Sequence, residues 1–261
     1  MPAPPGRDAR GRGADLFEPL DLASLSDEVA HRILSAIRLG LLLEGEKLPP
    51  ERRLAEQFAV GRAVVRDGLR RLVDAEVLRP LPGTRVGGMV VANEIVAGDL
   101  IKPRRRPPQE EMPLLFAVRR VVEPRIVIRA AQRAGEAEFA ALRRAVELSR
   151  AASTAAALPL TGRVKQQLNI ANMRFNHTIA VATGNLSVVR LLDSLNDLFE
   201  DLRFRSLSDP ADAYIATRAL ENTLEAVESR SAAMISAVLD KRLTILEATW
   251  ERLTGERLDT V

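Results

Sequence analysis

Between Leu25 and Val91 the chain changes period repeatedly within one short stretch, and that punctuation leaves few folds open. Val29, Ile33, Ile37 and Leu41 recur on one face of a helix that opens near Leu25, with Ser24 or Ser26 as its cap. Gly45 and the pair Pro49-Pro50 interrupt it. Proline is favourable at the first position of a helix, so a second, short helix starts near Pro50 and turns Leu54, Ala55 and Phe58 inward. Gly61 marks a tight turn, and a third helix runs from about Arg62 to Val77, burying Val65, Leu69 and Leu72. The string "LRPLPGTRVGGMVV" then supplies two extended runs, Leu78–Leu81 and Met89–Val91, around a tip rich in proline and glycine. Three short helices closed by such a hairpin make a winged helix-turn-helix, which places its last helix in the major groove of DNA.

Charge placement supports that reading where total charge does not. The whole chain carries 38 basic and 35 acidic residues, a net charge of only +3. Between Lys47 and Arg85, however, nine basic residues face five acidic ones. Arg62, Arg66 and Arg70 fall at i, i+4 and i+8, a basic stripe beside the buried Val65–Leu69–Leu72 stripe. On an isolated helix this is an ordinary solvated face. Between a short helix and a hairpin it faces DNA, where the arginine fork engages phosphates or guanine edges two bonds at a time.

The rest of the chain reads differently. Residues 1–22 open "MPAPPGRDARGRGAD", a flexible arm without the apolar centre of a signal peptide. The head spans 23–92, and residues 93–112, ending "IKPRRRPPQEEMP", form a linker. Residues 113–261 are helical in period, with breaks near Ala134–Gly135, Ala157–Gly162, Gly184–Asn185 and Ser206–Pro210, giving roughly six helices and no strand. Aromatic residues are 3% of the chain against 46% hydrophobic, so the core is built from Ala, Val, Leu and Ile, which suits helix on helix. The expected fold is mostly α: an N-terminal winged helix-turn-helix of three helices plus a β-hairpin, then an all-α antiparallel bundle. There is no cysteine, which excludes disulfides, thiolate zinc sites and cysteine catalysis and fits a reducing cytoplasm. No apolar run approaches the ~18 residues of a membrane span, so no membrane partner is expected. With no phosphate-loop glycine pattern either, no catalytic residue and no cofactor are assigned.

The string "GEKLPPERRLAEQFAVGRAVVRDGLRRLVDAEVLRPLPGTRVGGMVV" resembles the DNA-binding domain of GntR-family transcription regulators, with their G-x-x-LP-x-ER-x-LA segment, recognition helix and glycine-containing wing. The resemblance implies that Arg52, Arg62 and Arg66 contact the operator, joined along the stripe by Arg70, and that the wing tip at Gly83, Thr84 and Arg85 enters the adjacent minor groove. Two departures stand out. Gly61 replaces a serine, and Gly68 replaces an alanine inside the recognition helix, a change that helix propensity alone prices at roughly 1 kcal/mol. That predicts a looser helix with its arginines untouched.

The second half resembles the FCD effector domain of the fatty-acid-regulator subfamily. "AVRRVVEPRIVIRAAQRA" matches its opening helix and "NMRFNHTIAVATGN" its D-x-x-F-H-x-x-x-x-x-A-x-G-N segment. The resemblance implies a dimerising antiparallel bundle that holds a small effector, often through a divalent metal bound by the Asp and His of that segment and two later histidines. Here Asn172 stands at the aspartate, Asn176 at the first histidine, and Leu220 and Arg242 at the later histidines. The chain has only two histidines, His31 in the head and His177, one residue off the stripe. Asparagine is a weak neutral ligand, so no metal is expected.

What remains is a polar lining: Asn172 and Asn176 as amide donors and acceptors, Arg119 from the opening helix, and Arg242 where it points inward, together able to hold an anion. Asn169 is expected at the surface, and Arg119 with Glu123 has the spacing of a helix-surface pair. The expected function is a homodimeric regulator, a repressor of a palindromic operator, controlled by a fatty acid, an acyl-CoA or a small carboxylate. A sequence-indifferent DNA binder, or a regulator with no small-molecule effector, are the alternatives.

Overall fold

The computed structural model of the chain describes residues 22–81, 88–95 and 107–258. Nearly all of the expected arm, most of the linker, and the wing-tip residues Gly83, Thr84 and Arg85 lie outside the described residues. The head runs through α1 (Leu22–Arg38), α2 (Glu51–Phe58), α3 (Arg62–Asp74), β1 (Leu78–Pro80) and β2 (Met89–Val91). α1 stops at Arg38, so Leu41 lies beyond its end and is exposed instead of packed. Pro50 precedes α2 as its N-cap, with φ −57° and ψ 150°, rather than taking the first helical position. Gly61 is likewise extended ahead of α3, and α3 ends short of Val77 because Glu76 adopts a left-handed φ of 58°.

β1 and β2 pair antiparallel, Leu78 opposite Val91 and Pro80 opposite Met89. The segment before α2 lies along their other side: the Leu48 amide donates to the Met89 carbonyl at 2.9 Å and the Val91 amide to the Glu46 carbonyl at 3.0 Å. Val29, Ile33, Ile37, Leu54, Val65, Leu69 and Leu72 close an apolar core between these elements, with Ser26 also buried. Gly68 sits at its tightest point. A Cβ there would lie 2.8 Å from the Ser26 carbonyl oxygen and 3.0 Å from Val29 Cγ1. The expectation of a loosened recognition helix is therefore corrected: the glycine is what lets α1 lie against α3.

The second half comprises α4 (Met112–Arg133), α5 (Glu136–Thr154), α6 (Gly162–Ala182), α7 (Leu186–Leu198), α8 (Glu200–Ser206), α9 (Pro210–Ser229) and α10 (Ala232–Thr254). α6 is the central helix: one face packs Leu168, Ala171, Phe175 and Ile179 into the core, and Asn169, Asn172 and Asn176 are buried as well. The breaks read from sequence are present, and two more appear at Phe199 and at Arg230–Ser231. Arg230 turns left-handed at φ 56°, its guanidinium donating to the carbonyls of Gln132 and Ala134, while Ser231 caps the next helix by accepting from the Met234 amide. Phe199 is fully buried, its ring 5.0 Å edge-on from Phe116.

Head and bundle meet through charged groups. Arg174 of α6 donates from Nε to the Arg38 carbonyl at 2.8 Å and from Nη2 to Glu94 at 2.5 Å. Arg38, the last residue of α1, donates from Nη1 to Glu200 Oε1 at 3.3 Å. Among the described residues no helix is long and apolar enough to cross a membrane.

Candidate functional site

On α3, burial of Val65, Leu69 and Leu72 leaves Arg62, Arg66 and Arg70 exposed, with Arg52 of α2 exposed beside them. Two of the four already hold a carboxylate. Arg66 Nη2 donates to Glu51 Oε2 at 3.0 Å, and Arg52 Nη1 to Glu56 Oε1 at 3.0 Å. The hydrogen bond and charge of Glu51 push the Arg66 pKa up, so its guanidinium stays charged. Exposed pairs of this kind are held loosely in water, which leaves the forks available to phosphate.

The bundle uses arginine in the opposite way. A cavity of about 170 Å³ opens between α4, α6, α8, α9 and α10. At one end, Arg119 donates from Nε to Glu123 Oε2 at 2.5 Å and from Nη2 to Oε1 at 3.4 Å. Both side chains are only 2% exposed, so this is no surface pair despite its i, i+4 spacing. Arg242 reaches in from α10, donating from Nη2 to Asn172 Oδ1 at 2.7 Å, with Nη1 3.9 Å from Glu123. Arg203 of α8 joins them, its Nη2 held by the Asn196 carbonyl at 2.7 Å. Arg119 Nη1, Arg203 Nε and Nη1, Arg242 Nη1 and Asn172 Nδ2 are buried and have no hydrogen-bond partner among the described residues.

Burial lowers the pKa of Arg203 to about 9, with Arg119 repelling its charge, yet at neutral pH it remains protonated. Burial also lowers Arg242. Burial opposes the Glu123 charge, but Arg119, Arg242 and Arg203 together outweigh it and hold the carboxyl below its ordinary range. The other end of the cavity is apolar, walled by Leu168, Leu207, Ile215, Leu220 and Leu246.

The structure brings Arg119, Asn172 and Arg242 together in this cavity, and Leu220 lines it too. Asn176 is not among the lining residues: it is buried and donates from Nδ2 to the Asn172 carbonyl at 2.9 Å, steadying the helix behind the site. Asn169, expected at the surface, is instead 6% exposed, lines the cavity, and donates from Nδ2 to Glu200 Oε1 at 2.7 Å. His177 lies outside the lining, its Nδ1 3.0 Å from Asp193. Arg203 was invisible to the sequence reading. Its string "EDLRFRS" looks like a solvated turn, and only the fully buried Phe199 just before it hints that this short helix faces inward.

These groups do not fit a divalent cation. Three guanidiniums converge where the family's metal would sit, Asn172 Oδ1 already accepts from Arg242, and the Glu123 carboxylate is held by Arg119. Among the described residues no cluster of three or more His, Cys, Asp or Glu side chains comes close enough to share an ion.

Known families divide the chain where the fold does. The model of bacterial regulatory proteins of the gntR family matches residues 25–87, and that of the FCD domain matches residues 114–244. The chain thus carries both domains of a bacterial regulatory protein. It belongs to the GntR family, in the branch whose second half is an FCD domain. RmpR of Mycobacterium gastri, named as an HTH-type transcriptional regulator, is 40% identical over 81 residues, 31% of this chain and 29% of that one. An uncharacterized HTH-type transcriptional regulator of Mycobacterium tuberculosis is 32% identical over 149 residues, 55% of this chain and 60% of that one. The matched stretches thus span less than two thirds of these relatives' lengths. McbR/YncC of Escherichia coli has a similar fold, with a TM-score of 0.52 at 16% identity over 88% of this chain and 98% of that chain.

Proposed function

We propose that the protein is a cytoplasmic, homodimeric repressor that binds a palindromic operator and is controlled by a small anionic effector held in the bundle cavity. The functional units are the arm (1–22), the head (23–92), the linker (93–112) and the effector and dimerisation domain (113–261). Arg52, Arg62, Arg66 and Arg70 contact the operator, with Gly83, Thr84 and Arg85 at the wing tip. Two heads related by a twofold axis match two half-sites. An exposed apolar stripe of Leu114, Val118 and Val121 along α4 supports pairing of two copies. The observation that carries the effector reading is the convergence of unpartnered guanidinium donors from Arg119, Arg203 and Arg242 on one buried space, beside Asn172. An acyl or small carboxylate ligand satisfies them with its head and the leucine wall with its chain.

Control then needs a ligand that favours one arrangement of head and bundle. Glu200 Oε1 accepts from Asn169 in the cavity wall and from Arg38 at the end of α1. A ligand that turns Asn169 toward itself changes what Glu200 offers Arg38. A screen of fatty acids, acyl-CoAs and small carboxylates tests the proposal. It reads the melting temperature and the affinity for a labelled fragment of the gene's own upstream region. One class should raise the first and lower the second, and Glu200→Gln should keep ligand binding while losing most of the release. No response from any class, or upstream DNA bound no tighter than random DNA, overturns it.

A further inference from the structure

The cavity's charges can be counted, and they do not balance. Arg119, Arg203 and Arg242 share the lining with Glu123. Glu200, behind Asn169, attracts Arg203 and pairs with Arg38. Asp212, also on the lining, is engaged at the start of α9, where its Oδ2 accepts from the amides of Ser208 and Asp209. Those four arginines outnumber Glu123 and Glu200 by two, their orphan nitrogens are buried, and buried charge of one sign is unfavourable unless something of the other sign answers it. The free donors are shaped for more than one acceptor. Arg203 presents Nε and Nη1, donors on different edges of its guanidinium, and Arg119 Nη1, Arg242 Nη1 and Asn172 Nδ2 come from α4, α10 and α6.

Resting on the effector reading above, we infer that the ligand's head carries two negative charges within one group's width, as a phosphate monoester or a close pair of carboxylates does, with Arg203 as the residue that selects it over a single carboxylate. A monoanion leaves one guanidinium unanswered. A dianion returns the cavity to neutrality and offers acceptors to guanidinium donors that arrive from several helices. The apolar wall of Leu168, Leu207 and Leu246 requires that the head be attached to a short hydrocarbon portion rather than be a free ion.

Propyl phosphate and propyl sulfate test this directly, since both are tetrahedral and nearly identical in size but differ by one charge above pH ~7. Titrated calorimetrically into the full-length protein at pH 7.5, the phosphate should bind at least tenfold tighter. Propylmalonate against pentanoate forms the second arm. Preference for the phosphate alone assigns a phosphate ester, preference for propylmalonate alone assigns paired carboxylates, and either supports the inference. Arg203→Met should erase the preference in the arm that showed it, weakening the doubly charged ligand at least tenfold more than the singly charged one. It should also raise the melting temperature of the unliganded protein, which confirms that the variant folds. Arg203→Lys should restore part of the discrimination. Equal affinity for both members of each pair, or a preference that survives in Arg203→Met, overturns the doubly charged head and leaves an anionic effector standing. Binding of neither pair, with monoanionic acyl compounds still active in the screen, does the same. Silence in both experiments overturns both readings.

Discussion

Head and bundle spend arginine in opposite directions. In the head, Arg62, Arg66 and Arg70 stand outside a mainly apolar core, their guanidiniums exposed to solvent. In the bundle, Arg119, Arg203 and Arg242 point inward, away from water, against Glu123. A guanidinium on a surface is cheap to keep and easy to read from spacing. One in an interior is stabilised only by specific partners, and those lie far along the chain: Arg242 meets Asn172 seventy positions away. The contrast teaches that the same residue type marks a site by periodicity in one half and by burial in the other.

The comparison is sharpened most strongly at Glu123. Glu123→Gln removes the negative charge held by Arg119 and leaves three buried guanidiniums facing one another. The expected loss is about 3–5 kcal/mol of stability, measured by urea unfolding. The same variant checks a pH effect. The folded pKa of Glu123 lies below its unfolded value of about 4.3, so its stabilisation is complete above that pH and fades as pH falls further. Glu123→Gln should lack that acid-side decline. An unaltered unfolding curve would show that the inward arginines are as indifferent to their surroundings as the outward ones.

Next in size, Arg66→Ala or Arg62→Ala should weaken operator binding by roughly tenfold or more with no change in melting temperature, because neither side chain is part of the core. Unchanged affinity in an anisotropy titration would break the assignment of α3 to the groove. An effect of comparable size is expected at Gly68. Replacement of an exposed helical glycine by alanine ordinarily stabilises, by up to ~1 kcal/mol. Here Gly68→Ala should instead destabilise the head by about 1–3 kcal/mol, since the added carbon meets the Ser26 carbonyl. A raised melting temperature would restore the loose-helix reading.

Much of the fold was legible because it follows from local rules. Pro50, Gly61 and the alternation around "LRPLPG" punctuate the head, and their positions coincide with α2, α3 and the β1–β2 ladder to within a few residues. The breaks at Gly135 and Gly184 follow the same logic. The break at Arg230–Ser231 was missed because arginine, not glycine, takes the left-handed turn, held there by carbonyls from the end of α4. The cavity was half legible. Arg119, Asn172 and Arg242 emerged from the family frame, but Asn169 looked solvent-facing and Arg203 carried no local mark. Both acquire their place from α8, a helix of 7 residues packed through its own Leu202 and the Phe199 just before it.

The missing Cβ at Gly68 has a mechanical consequence for the head as a whole. α1 touches the bundle with Arg38 at one end, and at Ser26, about 18 Å back along the helix at 1.5 Å per residue, it touches the recognition helix with no clearance. A rod seated without slack does not absorb displacement; it delivers it. A tilt at Arg38 is therefore felt at α3, the helix that carries Arg62, Arg66 and Arg70.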